Sequence, residues 1–399
     1  MSVFASLQPV PADPILGVTE AFNADQSPDK INLGVGVYVD EQGRIPLLDS
    51  VTAAQADLDQ APHPYGYLPQ TGIPAYDQAS AKLVFGANSP ALLGGRIVSI
   101  QTLGGTGALR IGAGLFRLAT PQATVLISDP SWENHRLIFE RTGYTVGTYR
   151  YYDAQTGGVD FDGLLADLNQ AAAGTIVILH GCCHNPTGCD LTPAQWDQVI
   201  AVLQERDLVP FIDFAYQGLG HGLDQDRYVV EALVDAGLEF AVANSYSKTF
   251  SLYGERVGAI HWVTADASEA TRVASQAKTV VRSLYSNPPT HGAELVAAVL
   301  NTPELGALWE QEVAGMRDRI KAMRAAFRTG LESAGVSRDL NYITTQVGMF
   351  TYSGLTPTQM ARLRQDFHIY GLDSGRLCMA ALNQSNIERV VAGVAAVMG

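Results

Sequence analysis

The chain has 399 residues, is 47% hydrophobic and 17% charged, and carries 26 Lys+Arg against 40 Asp+Glu, a net charge of −14. That length can bury a large core and suggests two domains, or one large α/β domain with an appendage. The acidic balance, with no basic block, argues against nucleic acid or an anionic membrane surface as a partner. No basic segment followed by an apolar one opens the chain, no apolar run is long enough to span a bilayer, and Cys182, Cys183, Cys189 and Cys378 do not make a disulfide framework, so reduced thiols and a cytoplasmic location are expected.

Short apolar runs at 96–103, 123–128, 175–180, 209–215, 239–245 and 257–263 alternate with helix-like stretches. Their continuous Val, Ile, Leu and Phe character predicts strands of a sheet covered on both faces. The spacing leaves room for helical crossovers, so an α/β fold with a mostly parallel sheet is expected. Ligands of such sheets bind beyond the carboxyl ends of the strands, where the polar motifs of this chain fall. Past the sheet, Thr302-Pro303 reads as an N-cap and first helical residue of a long helix over 303–335. Residues 340–352 suggest strand structure, Thr356-Pro357 opens a helix to about residue 366, and 386–398 form a last amphipathic helix. This tail predicts a smaller α+β domain, joined by the N-terminal segment.

The motifs follow the strands. Gly104-Gly105-Thr106-Gly107 lies between a strand and an Ala/Leu-rich helix, where glycines let the backbone approach a ligand and the helix start can hold a phosphate. A dinucleotide site would need G-x-G-x-x-G, and Ala108-Leu109-Arg110 breaks it, so a single phosphate is preferred. Trp132, in Ser131-Trp132-Glu133-Asn134-His135, can stack on an aromatic ring or serve as core. His180-Gly181-Cys182-Cys183-His184-Asn185-Pro186 has zinc-like ligand types, but adjacent cysteines rarely both reach one tetrahedral ion, so metal binding is not expected. Asn185 is then free to donate a hydrogen bond. Asp213, within Phe211-Ile212-Asp213-Phe214-Ala215-Tyr216, is a carboxylate in an apolar run and needs a partner, either a core arginine or a protonated pyridine nitrogen.

Lys248 stands in Asn244-Ser245-Tyr246-Ser247-Lys248-Thr249, with Gly254-Glu255-Arg256 close behind. The amine can form a Schiff base with a phosphorylated aldehyde, whose phosphate the hydroxyls and the arginine can bind. Taken alone, the motif is equally a surface lysine after a strand. The other four lysines, Lys30, Lys82, Lys278 and Lys321, lack such company. Arg376, flanked by Gly375 and Leu377, suits a bidentate carboxylate clamp or a structural ion pair.

Together with Ile31–Tyr38, Tyr67-Leu68-Pro69 and Tyr285-Ser286-Asn287-Pro288-Pro289, these motifs run in an order that resembles, end to end, the aspartate/aromatic aminotransferases. These are fold-type I pyridoxal-phosphate enzymes, and the chain looks most like the bacterial aromatic (tyrosine) ones. The resemblance implies a large pyridoxal-phosphate-binding domain over 46–311 and a small domain from 1–45 and 312–399. It implies Lys248 as the Schiff-base lysine and proton shuttle, and Asp213 as the pyridinium partner, supported by His135. Tyr216 and Asn185 would face the cofactor's phenolate oxygen, and Trp132 would stack on its ring. Gly105, Thr106, Ser245, Ser247 and Arg256 would hold the phosphate, with Tyr67 reaching that of a neighbouring subunit. Arg376, helped by Gly36, would clamp the substrate α-carboxylate. Arg282 would cross the interface of a homodimer with shared active sites to a second carboxylate.

The reaction so implied is amino transfer from aromatic amino acids, and from aspartate or glutamate, to 2-oxoglutarate in two half-reactions. The aromatic expectation rests on apolar Val39 and Ile45 near the family's substrate entrance, where dicarboxylate-specific relatives often carry lysine and threonine. If those two side chains only pack, a strict aspartate aminotransferase remains. A pyridoxal-phosphate lyase fits the paired Arg376 and Arg282 less well, and a non-enzymatic cofactor-binding regulator would want an appended basic module, which is not visible.

Overall fold

The computed structural model describes residues 2–9, 14–60 and 66–399. A seven-stranded sheet organises the chain: β1 (Ile97–Leu103), β2 (Thr124–Asp129), β3 (Thr145–Arg150), β4 (Ile176–His180), β5 (Val209–Phe214), β6 (Phe240–Ser245) and β7 (Val257–Val263). Their spatial order is β1-β7-β6-β5-β4-β2-β3. Pairing is parallel from β6 through to β3, and β7 alone runs antiparallel to both of its neighbours.

The apolar runs are continuous because both faces of the sheet are covered. Along β4, Ile176 and Ile178 enter one core cluster while Val177 and Leu179 enter the other. In β5 and β6, Phe211, Ala241 and Ala243 join the first, while Ile212, Phe240 and Val242 join the second. Alternate side chains of a strand point to opposite faces, so two cores consume every position. One face is covered by helices Gly104–Ala119, Glu133–Arg141 and Ala267–Leu284, whose Leu109, Phe139 and Val281 are buried there. On the other face pack Phe161–Gln170, Pro193–Glu205 and Tyr228–Asp235, through Leu164, Val199 and Leu233.

Three sequence expectations change. The strand Thr145–Arg150 was not anticipated, because TVGTYR lies at the sheet edge and is mostly not buried, so it lacks a continuous apolar signal. Residues 340–352 hold a helical turn, Tyr342–Thr345, and strand only at Phe350–Tyr352. Thr302 makes no side-chain cap to the long helix Pro303–Ser333, whereas Thr356 forms a full capping box with Gln359 at the start of Pro357–Phe367. Ile31–Asn32 pairs in parallel with Ile369–Tyr370, and the last helix, Ile387–Met398, packs on the long one.

Candidate active site

The carboxyl ends of the parallel strands and the turn into Gly104–Ala119 enclose a cavity of about 300 Å3. Gly36, Gly105, Thr106, Trp132, Asn185, Asp213, Tyr216, Ser245, Ser247, Lys248, Arg256 and Arg376, all singled out from sequence, line it. The topology explains the convergence. Asp213 and Ser245 sit at the ends of adjacent strands β5 and β6, and Lys248 follows β6 by three residues.

At the floor, the Asp213 carboxylate is 6% exposed and accepts a hydrogen bond from His135 Nε2 at 3.0 Å. A carboxylate only accepts, so Nε2 carries a proton, and His135 Nδ1 is hydrogen-bonded with Ser131 Oγ at 2.9 Å. Burial alone would raise the Asp213 carboxyl. The His135 hydrogen bond and the nearby Lys248 outweigh it and hold the group below its ordinary value, as a buried anion. The Lys248 amine lies 5.1 Å from the centre of the Tyr253 ring. Burial, followed by the charge of Arg256, brings its pKa down from 10.5 to about 8, against the opposing pull of Asp213. Such an amine is half neutral at about pH 8, and so becomes nucleophilic and basic at a far lower pH than an ordinary lysine. Burial, with Asp213 adding to it, raises the Tyr216 phenol, which therefore stays protonated.

One end of the cavity is built for an anion. The helix Gly104–Ala119 starts without a side-chain cap; the Gly104 N–H donates to the Arg256 carbonyl at 3.0 Å, and the N–H groups that follow it face the cavity end for a ligand. Gly104 has φ +65°, and a Cβ there would lie 2.6 Å from Arg256 Nη2, so the guanidinium closes over the turn only because residue 104 is glycine. Arg256 donates to the Tyr253 carbonyl at 3.0 Å and to Ser247 Oγ at 3.4 Å, beside Ser245. At the other end, Arg376 is 1% exposed. It donates to the Gly34 carbonyl at 2.7 Å and to Asn185 Oδ1 at 3.2 Å, and lies 4.3 Å over the Phe350 ring. Its Nε is buried and unpartnered. Asn185 turns its Nδ2 toward Tyr216 Oη at 3.5 Å, which links Arg376 to Tyr216.

Tyr67 and Arg282 stand apart. Tyr67 is 97% exposed, Arg282 is also exposed at the end of Ala267–Leu284, and neither lines the cavity of its own chain. Val39 and Ile45 also fall outside it: Val39 packs against the core and Ile45 is 48% exposed. The apolar walls are instead Val35, Val37, Leu109 and Phe350. Sequence reasoning missed Tyr253 and Phe350. Tyr253 lies between Lys248 and Arg256, a position that was itself a usable signal, whereas Phe350 arrives from a distant segment with none.

The Cys182-Cys183-His184 turn is packing. Burial raises both thiols, and His184 is held at 2.9 Å by Ser128 and at 2.8 Å by Thr187 through its two ring nitrogens. Among the described residues, His135, His180 and Asp213 bring ligand atoms within 4.8 Å of one another, but the His135–Asp213 hydrogen bond already occupies two of the three. A larger crevice, about 730 Å3, opens at the opposite ends of the strands, where the carboxylates Glu239 and Glu269 both accept the Ala265 N–H at 3.0 Å.

The chain matches the family described as aminotransferase class I and II over residues 28–394. It is 54% identical to an aspartate aminotransferase of Pseudomonas aeruginosa, with 100% of each covered. It is 48% identical to an aromatic-amino-acid aminotransferase of Escherichia coli K12, covering 99% of this chain and 100% of the relative. A crystal structure of an aromatic-amino-acid aminotransferase from Burkholderia pseudomallei, covalently bound to pyridoxal phosphate, superposes with a TM-score of 0.98 at 54% identity over 100% of both chains. With a lysine, a buried aspartate and an anion cradle meeting in one cavity of this fold, the chain belongs to the class I and II aminotransferases.

Proposed function

We propose that the protein is a pyridoxal-phosphate-dependent aminotransferase acting on both aromatic and dicarboxylic amino acids, with 2-oxoglutarate as acceptor. The observation that carries this is Lys248, with its amine brought down to about 8, sharing one cavity with the buried Asp213 anion and with Arg376. The donor set fits the cofactor: an uncapped helix start and Arg256 for the phosphate, and a buried carboxylate for the ring nitrogen. When bound, pyridoxal phosphate supplies an aldehyde for amine exchange and a ring that withdraws electrons.

The protein's residues do the rest. Asp213, oriented by His135, would hold a protonated ring nitrogen. Gly105, Thr106, Ser245, Ser247 and Arg256, which line the cavity, would hold the phosphate, and Trp132 would pack against the ring. Tyr216 and Asn185 would donate to the ring oxygen, and Arg376, beside Gly36, would bind the substrate carboxylate. Lys248 takes the proton from the substrate Cα and returns it, a task suited to an amine whose pKa is brought down to about 8.

Exposed Tyr67 and Arg282 support a homodimer in which each reaches the other subunit's cavity, Arg282 taking the distal carboxylate of aspartate or glutamate. The walls Val35, Val37, Leu109 and Phe350 support aromatic rings, at ~25 cal/mol per Å2 of apolar area removed from water. The relatives' names point both ways. We divide the chain into a cofactor-binding domain, 46–311, and a small domain, 1–45 with 312–399. No described helix is long and apolar enough to cross a membrane, and four buried free cysteines suit a reducing cytoplasm. The test is kcat/KM for phenylalanine and for aspartate with 2-oxoglutarate. Turnover of both is expected, and negligible phenylalanine turnover beside fast aspartate turnover would leave a strict aspartate enzyme.

A further inference from the structure

Gln101, on β1 and 2% exposed, makes four hydrogen bonds to two segments that enter from opposite directions. Its Oε1 accepts the Ile73 N–H at 3.2 Å and its backbone N–H donates to the Thr71 carbonyl at 2.9 Å. Its Nε2 donates to the Pro289 carbonyl at 2.6 Å and its own carbonyl accepts the Tyr285 hydroxyl at 3.4 Å. Gly72 lies directly on it: with φ +95°, a Cβ there would be 2.3 Å from Gln101 Cβ, so only glycine lets the segment settle. Asn287 Nδ2 then ties the segments to each other through the Leu68 carbonyl at 2.9 Å.

These are the segments that bear the two exposed arms. Residues 66–73 begin beside Tyr67, and residues 285–289 directly follow the helix turn that carries Arg282, whose guanidinium hydrogen-bonds Ser286. A buried glutamine offers a donor and an acceptor in one rigid plane, which suits a junction that must satisfy an orphan N–H and an orphan carbonyl at once. Three residues further on, β1 gives way to Gly104 and the anion cradle.

We propose that Gln101 is a positioning residue that locks the Tyr67 and Arg282 arms in register with each other and with the cradle. Its consequence for substrates rests on the shared-site reading above: freeing the arms spoils capture of a distal carboxylate more than it spoils the floor chemistry.

The test uses the holoenzyme with saturating cofactor, as Gln101→Met and as the gentler Gln101→Asn, which keeps the amide but shortens it. Hydrogen exchange should quicken about tenfold in residues 66–73 and 285–289 and not in β5 or β6. The KM for aspartate should rise about tenfold while kcat and the KM for phenylalanine stay within about twofold. Unchanged exchange in both segments in both variants overturns the lock, whatever the substrates are. Faster exchange with equal changes for the two substrates overturns the positioning role. A wild-type enzyme that does not use aspartate strikes instead at the substrate reading, and exchange alone then decides the lock.

Discussion

The floor of the cavity and its two arms are built differently. Asp213 and Ser245 end strands β5 and β6, which are buried almost along their whole length, and Lys248 and Tyr216 follow within three residues. Tyr67 and Arg282 sit on the surface, Tyr67 with 97% of its area open. The floor draws rigidity from a doubly covered sheet, whose fully buried Phe, Ile and Val side chains each contribute about 1.5–3 kcal/mol. Tyr67 stands on a loop without such support, whereas Arg282 ends a helix anchored by the buried Val281, and the segments beside both are tied by hydrogen bonds to Gln101. On the shared-site proposal, groups that act at a fixed atom are placed on the sheet, while Arg282 for the distal carboxylate and Tyr67 for the phosphate are placed where a second subunit would complete them. Chemistry and selectivity are therefore separable by mutation.

Damage to the floor should be the most severe. Lys248→Ala should lose about 10^4-fold or more in turnover while still binding cofactor through Arg256 and the cradle. Multiple-turnover assays with exogenous amines excluded check this, and near-wild-type rates would remove Lys248 from its role. An arm should fail selectively: Arg282→Leu should lower kcat/KM for aspartate about 100-fold, as expected for a charge-assisted pair, and that for phenylalanine far less. Parallel losses for both donors would merge floor and arm into one unit. His135→Asn, which weakens only the support of Asp213, should cost about tenfold in kcat, with KM little changed.

The smallest effect is a titration. The Lys248 pKa is depressed, so the proton is held below about pH 8 and released above it, not at the ordinary 10.5. In cofactor-free protein, labelling of Lys248 by an amine-directed reagent should rise through about pH 8. Removing a neighbouring cation, as in Arg256→Met, should move that midpoint upward. A wild-type midpoint near 10.5 would mean that the amine is solvated and ordinary.

Much of the floor was legible in the sequence because a doubly covered sheet leaves continuous apolar runs, and Asp213, Asn185 and Lys248 stand at or just past their ends. Phe350 was not legible. It comes to lie under Arg376 by tertiary packing, and nothing near residue 350 points to residue 376. The edge strand Thr145–Arg150 lacked the apolar pattern because only Tyr149 in it is buried. Val39 and Ile45 stand in a segment near the cavity but do not line it within their own chain, where Val35 and Val37 do. Gln101 read simply as a strand residue, since its partners lie about 30 residues upstream and nearly 190 downstream.

The division between floor and arms is tested most directly by co-expressing Lys248→Ala with Arg282→Asp chains and assaying aspartate turnover. Each homodimer should be inactive, one lacking the lysine and the other the distal clamp. Hybrids should recover about a quarter of wild-type activity in a random mixture, since half the dimers are hybrid and each has one intact site. No activity above that of the separate variants, in a mixture in which hybrid dimers are demonstrably present, would contradict a cavity floored by one chain and armed by the other.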